Sequence, residues 1–197
     1  MLSQNYTRLS AEAIHDIPDI CGYTYDKCRP YFTNTRIALD VGCKAGNFAK
    51  HIQKDFEFVH MFDMRPKMKR TQLDRKKCKL HQCALGNSVG QIKHTGALTN
   101  VVVDDTPMTT SPLRTVDSFK FTNVDFIKID VEGDEQSVLE GAVGTLERCR
   151  PVVVLEQNDA TERYGKGNYG DAVRWLEDNN YKITDYDGMD DWIMTHV

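Results

Sequence analysis

Val124-Asp125-Phe126-Ile127-Lys128-Ile129-Asp130, continuing into Val131-Glu132-Gly133-Asp134-Glu135, is the stretch on which the fold turns. Residues 124–130 read as a buried strand that ends in an acid, and Gly133 permits the turn that follows. Val138, Leu139, Ala142, Val143 and Leu146 then recur at helical spacing on one face, which predicts a helix over residues 135–149. The same alternation extends in both directions. Upstream, residues 37–41 read as a strand with a helix over 47–54. A strand over 56–62 precedes a helix near 67–77, and a third strand over 79–85 ends at Gly86. Downstream come a strand over 151–156, with Pro151 at its tolerated first position, a helix over 169–179, and short strands at 181–184 and 192–195.

Residues 87–123 are less regular. Gly90, Gly96, Pro107 and Pro112 break them into short pieces, with hairpins expected around residues 91–95 and 101–104. Strands alternating with helices imply an α/β fold: a doubly wound, mostly parallel sheet in three layers, covered on both faces. The 197 residues suffice for one such core. No repeat, low-complexity run or linker divides them. Residues 36–197 are therefore taken as one domain, with residues 1–35 as a cap segment belonging to it.

Composition narrows the function classes. At 27% charged and 40% hydrophobic the chain is globular, and a net charge of -4 gives no support to a nucleic-acid backbone as its main partner. Residues 1–20 lack the apolar core of a signal peptide, and no stretch is long enough to span a bilayer, so a cytoplasmic location is expected. The six cysteines form no C-x-x-C pair and no zinc-type spacing, and read as free, mostly buried thiols.

In a parallel sheet the ligand sits at the carboxyl ends of the strands. Asp40, Asp63, Asp130 and Glu156 all fall at such ends. Asp40-Val41-Gly42-Cys43-Lys44-Ala45-Gly46 joins a strand to a helix, and its glycines let backbone approach a ligand while the helix start offers N–H groups to an anion. It lacks the middle glycine of a dinucleotide loop and begins instead with an acid, which suits a ligand bearing an ammonium group. The amino-acid end of S-adenosylmethionine carries both charges. Asp63, about twenty residues on, suits ribose hydroxyls, a feature shared by NAD.

From Asp40 onward the sequence resembles the FkbM-type methyltransferases, a class I, Rossmann-like S-adenosylmethionine-dependent family. The matching pieces arrive in order: Asp40-Val41-Gly42 with Gly46, Phe62-Asp63 with Pro66, Ala84-Leu85-Gly86 with Gly90, Thr115-Val116-Asp117-Ser118, the run from Asp125 to Glu135, Val138-Leu139-Glu140-Gly141-Ala142, and Pro151 with Glu156. Lys44 stands where the family usually carries Asn, and Met64 where a Pro usually follows the acid. The resemblance implies S-adenosylmethionine as cofactor, contacted by Asp40, Val41, Gly42, Cys43, Gly46, Asp63, Met64, Cys83 and Ala84. It implies a small-molecule or glycan acceptor, methylated on a hydroxyl of a sugar or related natural product.

In class I enzymes the strand end at Asp130 borders the methyl group, which makes Asp130 and Glu132 the candidate catalytic carboxylates, as base or as orienting groups. The alternative is that both merely cap the helix beginning near Asp134. Other readings stay open: a non-catalytic adenosine-ligand-binding module of the same fold, or an NAD-dependent oxidoreductase. No metal is assigned, because no spacing demands one. The basic residues from Arg65 to Lys79 read as a solvated helix face or as a patch for an anionic acceptor. His94 is a remote candidate base.

Overall fold

The structure, a computed structural model, describes residues 6–67, 72–94 and 109–197. Seven strands form the main sheet in the order β3-β2-β1-β7-β8-β10-β9. They are β1 (Ile37–Val41), β2 (Phe58–Phe62), β3 (Cys78–His81), β7 (Val124–Ile129), β8 (Val152–Glu156), β9 (Tyr181–Tyr186) and β10 (Asp191–His196). Each pairing from β3 to β8 is parallel, and β10 runs antiparallel to both β8 and β9. All six residues of β7 are buried, as the apolar run anticipates for a central strand.

Two apolar cores lie on the two faces, giving the expected three layers. The first packs Leu39, Ile127, Ile129, Val153 and Leu155 against α4 (Glu135–Glu140), α5 (Val143–Cys149) and α6 (Asp171–Asp178), through Val138, Leu139, Leu146, Val173 and Leu176. The second packs Ala38, Phe126, Val152, Val154 and Ile193 against α2 (Ile20–Cys28) and α3 (Ala49–Asp55), through Tyr25, Cys28, Ala49 and Ile52. Tyr25, Phe32, Phe48 and Phe56 surround Phe126 with ring centroids 5.2–6.3 Å away. At the amino edge of the sheet, Arg36 donates from its backbone N–H and its guanidinium to Asp125, holding the entry to β1 against β7.

Several expectations need correction. The single helix over 135–149 is two, broken at Gly141-Ala142. A Cβ at Gly141 would lie 2.0 Å from the Gly86 carbonyl oxygen, so the helix bends to admit that backbone. Asp117 then accepts from the N–H groups of Gly144 and Thr145 and starts α5 from outside. The single strand over 79–85 is also two: β3 belongs to the main sheet, and β4 (Ala84–Leu85) to a small sheet of order β4-β6-β5. In that sheet β5 (Gly90–His94) pairs antiparallel with β6 (Thr109–Arg114), which carries Pro112 inside a strand rather than at a break. The hairpin around 101–104 lies outside the described residues. So do residues 68–71 of the helix expected near 67–77, whose described remainder from 72 to 77 is bend and turn. Two short helices unforeseen in the sequence, α1 (Ala11–His15) and α2, open the chain. Each is capped by an acceptor at its start, Ser10 and Asp19 respectively.

Candidate active site

Side chains alternate along a strand, so period two decides what meets at the carboxyl edge. Ala38 and Asp40 share a face on β1, as do Phe126 and Lys128 on β7, with Asp130 one residue past its end. Val152, Val154 and Glu156 share that face on β8, and Asp191 and Ile193 on β10. The apolar members of each row belong to the second core. The register sets Asp40 beside Lys128, Lys128 beside Val154, and Glu156 opposite Asp191. Four carboxylates and one lysine therefore extend a single apolar face to its carboxyl end.

Lys128 is 5% exposed. Its Nζ donates to Asp130 Oδ2 at 2.5 Å and lies 5.5 Å from the centre of the Phe48 ring. Burial opposes the lysine's charge, but Asp130, Asp191 and Asp40 outweigh it and hold its pKa above the usual lysine value. Burial likewise pushes Asp130 up, and the adjacent ammonium outweighs that, so the net direction is down. The others move the opposite way. Glu156 is pushed up to about 9 by burial and by Asp130, and Asp191 to about 7 by burial against the pull of Lys128. Asp40, fully enclosed, rises to about 6 for the same reason, and neither of its oxygens has a hydrogen-bond partner. An unpartnered buried carboxylate marks a place where a cationic ligand group would be favourable. Because Asp40 is enclosed, direct contact requires the loop above it to shift.

The glycine-loop half of the edge is stitched by backbone. Gly42 and Cys43 both donate to the Phe62 carbonyl, and Gly46 donates to the Cys43 carbonyl. Asp63 Oδ2 accepts from Lys44 N at 2.8 Å and Oδ1 from Arg65 N at 2.6 Å, while Lys67 N donates to the Lys44 carbonyl. Asp63 therefore sits at the expected strand end and spends one hydrogen bond per oxygen on holding the loop. An ionised carboxylate has further lone pairs, so ribose hydroxyls remain acceptable to it. Val41 and Cys43 turn their side chains into the first and second cores respectively, leaving only backbone for a ligand. Met64 is half-buried beside Asp63. Cys83 is buried in the first core, next to Ala84 at the start of β4.

Gly42 has a different reason for being glycine than close approach of a ligand. Its φ is +83°, and a Cβ there would fall 1.7 Å from the carbonyl oxygen of Asp130. The residue lets the β1 turn pass against the β7 turn, so it couples the two halves of the edge. Asp130 N, in turn, donates to the Val41 carbonyl.

At the acidic turn the capping alternative does not hold in the form expected. Asp134 occupies the cap position of α4 without a side-chain hydrogen bond. Glu135, 2% exposed, accepts from Val131 N and Gly133 N through Oε1 and lies near Gln157 Nε2. Glu132 is exposed with φ +58°, and Gly133 packs against the backbone of Ala160 and Thr161. Sequence reasoning missed Glu135, Lys128 and Asp191. A lysine inside an otherwise apolar strand was the available signal for the second, since strand alternation puts it on the face of Asp130.

His94 is enclosed in the small sheet, its ring nitrogens engaged by Ser111 and Thr109. Among the described residues no group of three or more His, Cys, Asp or Glu is placed to hold a metal ion. All six cysteines are free. No helix among those residues is long and apolar enough to cross a membrane. A cavity of about 480 Å³ lies between α2 and α3, and one of about 140 Å³ behind the acidic turn, lined by Gly133, Glu135, Gln157 and Thr161.

No curated protein matches this chain. Solved structures with the same fold include Methyltransferase FkbM from Methylobacillus flagellatus KT, with a TM-score of 0.52 and 17% identity over 82% of this chain. This chain spans only 44% of that protein's length. SMU.1697c from Streptococcus mutans, solved in complex with SAH, has a TM-score of 0.55 and 11% identity, covering 88% of this chain and 96% of that one. An rRNA methylase from Streptococcus thermophilus gives 0.53 and 10%, covering 88% and 94%. At these identities the likeness is one of fold. The Methyltransferase FkbM domain matches residues 40–183, most of the chain, and by that match this protein belongs to the FkbM methyltransferase domain family.

Proposed function

We propose that the protein transfers the methyl group of S-adenosylmethionine to a hydroxyl oxygen of a sugar, glycan or related natural product, and that residues 1–35 and 36–197 act as one domain. The observation that carries this reading is the convergence of the glycine loop with Asp40, Asp63 and Asp130 at the carboxyl edge of a parallel sheet, in a chain of the FkbM family. The acceptor class comes from the family resemblance. Free thiols suit a reducing, cytoplasmic setting.

The cofactor, when bound, supplies an electrophilic methyl on a sulfonium. The chain's part is to hold the two reactants in line and to manage one proton. Asp63 takes ribose hydroxyls while it keeps Lys44 and Arg65 in place. Asp40 supplies the unpartnered negative charge that favours the amino-acid ammonium. Val41, Gly42, Cys43 and Gly46 present backbone, and Met64, Cys83 and Ala84 flank the base side of the site. Asp130, held ionised by Lys128, accepts a hydrogen bond from the acceptor hydroxyl and aims its oxygen. A carboxylate whose pKa is lowered is a weak base, so orientation is assigned to Asp130 ahead of full proton abstraction. Glu132, exposed at the same turn, is the second candidate.

Isothermal titration tests the reading. S-adenosylhomocysteine is expected to bind, and NAD to give no heat. Binding of NAD alone would sink the proposal. Binding of S-adenosylhomocysteine without methylation of any hydroxyl acceptor, in assays with labelled S-adenosylmethionine, would favour the non-catalytic adenosine-ligand module.

A further inference from the structure

Among the described residues Lys128 is the one cation hydrogen-bonded within the acidic cluster, and it is shared unequally. Asp40 is its neighbour on β1, and Glu156 lies two residues past its β8 neighbour Val154, opposite Asp191 of β10, yet among the described residues its ammonium donates to Asp130. Asp40 and Asp191 keep enclosed oxygens without any partner. From α2, Cys21 feels the same ammonium, as does Cys43 from the glycine loop, while Phe48 covers it with its ring. Lys44 adds a weaker attraction on Asp130 from the loop side. The Asp130 side chain is also 33% exposed, whereas Asp40 is fully enclosed.

We propose that Lys128 is a positioning residue of the transfer site: it fixes both the charge and the direction of Asp130, so that among the clustered acids Asp130 is the one presented to the acceptor as a carboxylate. The inference rests on the reading above that the Asp130 strand end borders the methyl group. Four acids cannot all ionise around one buried ammonium. On the side open to the acceptor, the acid that carries the charge is the one the lysine touches. Glu156, next to Asp130 and without the lysine's hydrogen bond, keeps its proton in neutral solution. The Asp130–Glu156 pair then offers the acceptor one anionic oxygen in a defined place. A bare carboxylate cluster would share its proton among several arrangements.

Carboxyl-detected carbon NMR on the whole protein, with side-chain carboxyls labelled in Asp and Glu, reads this directly against pH. In the wild type Asp130 is expected to stay ionised to lower pH than Glu156, Asp191 or Asp40. Lys128→Met should raise the Asp130 midpoint by about 1–3 units, the range for losing an adjacent opposite charge, and Lys128→Arg should restore most of the shift. A purely structural lysine would leave the Asp130 midpoint where it was. That outcome, or a wild type in which Glu156 ionises before Asp130, overturns the proposal. The wild-type titration keeps the test available should Lys128→Met not fold. Titration with S-adenosylhomocysteine in parallel separates the two readings: no binding by the wild type removes the methyltransferase reading, whereas an unchanged Asp130 midpoint removes only the role of Lys128.

Discussion

Between β1 and β2 the carboxyl edge is held by backbone, with both N–H groups of Gly42 and Cys43 on one carbonyl and the Asp63 carboxylate occupied by two further amides. Around β7, β8 and β10 it is held by side-chain charge, with Lys128 among Asp130, Glu156 and Asp191 and with Asp40 of β1 at its side. The first half has its geometry built into backbone hydrogen bonds and the Asp63 carboxylate. The second has its geometry set by where one proton and one ammonium reside. The difference teaches that one sheet edge can bind by rigid shape on one side and tune charge on the other. The two are joined where Gly42 passes the Asp130 carbonyl.

That join gives the largest expected effect. Gly42→Val places a branched side chain at positive φ and into the Asp130 carbonyl, so the protein should lose about 2–6 kcal/mol of stability. S-adenosylhomocysteine binding should disappear along with cooperative melting. A well-folded Gly42→Val protein that merely fails to bind would mean that the ligand, and not Asp130, occupies the space above this glycine. Circular dichroism melting beside titration calorimetry distinguishes the two.

Asp63→Ala acts on the backbone-held half alone. It removes the acceptor that holds two loop amides and that is proposed to take the ribose. At about 1.5–3 kcal/mol per hydrogen bond to a charged group, cofactor affinity should fall roughly ten- to hundred-fold. Affinity equal to wild type in a folded mutant would show that the loop keeps its shape without Asp63 and that the ribose lies elsewhere.

The acidic cluster predicts a pH dependence of stability. Glu156, Asp191 and Asp40 keep protons at pH values up to about 9, 7 and 6 respectively, whereas unfolded carboxyls titrate near pH 4. Between about pH 4 and 9 the cluster thus binds more protons folded than unfolded, and its contribution to stability falls as pH rises, whereas His51, His60, His81 and His94, all shifted down by burial, contribute in the opposite sense up to about pH 7. Asp130, shifted down, contributes in the opposite sense: its share is present above pH 4 and is lost on acidification. Melting curves at pH 7 and 9, above the range in which the histidines titrate, should show a lower Tm at the higher pH. Glu156→Gln should narrow the gap by a few degrees. A wild-type Tm that climbs from pH 7 to 9 would contradict the protonated cluster.

The smallest effect belongs to Glu132→Gln. The residue is exposed and carries no capping hydrogen bond for α4, so stability should stay within about 0.5 kcal/mol of wild type. A larger loss, measured by denaturant titration, would restore the capping role. A drop in methylation at unchanged stability would move the catalytic assignment from Asp130 toward this residue.

What the sequence made legible, and what it did not, follows the same division. Strand ends could be read because apolar runs stop at an acid, so Asp40, Asp63, Asp130 and Glu156 were foreseen at the carboxyl edge. Asp191 was not, because it reaches Glu156 only through an antiparallel strand more than thirty residues later in the chain. Helical periodicity ran unbroken across Gly141, and only the carbonyl of Gly86, fifty-five residues upstream, interrupts it. Likewise nothing local separates β3 from β4, since the division comes from pairing with β6 in the small sheet. The glycine of the first loop is legible as a site of ligand approach, whereas its contact with the Asp130 carbonyl joins segments some ninety residues apart and leaves no local signal.

The position of β10 also orders the events of synthesis. It lies between β8 and β9, yet it follows both in the chain. As the polypeptide leaves the ribosome, Tyr181–Tyr186 emerges before the strand that must separate it from Val152–Glu156. Until Asp191–His196 follows, the edge of β8 is bare, and Trp192, Ile193 and Met194 have not yet closed over it. A nascent chain halted there carries an open, apolar strand edge of the kind that invites mispairing. The same strand delivers Asp191, so Glu156 meets its acidic partner only when β10 has paired.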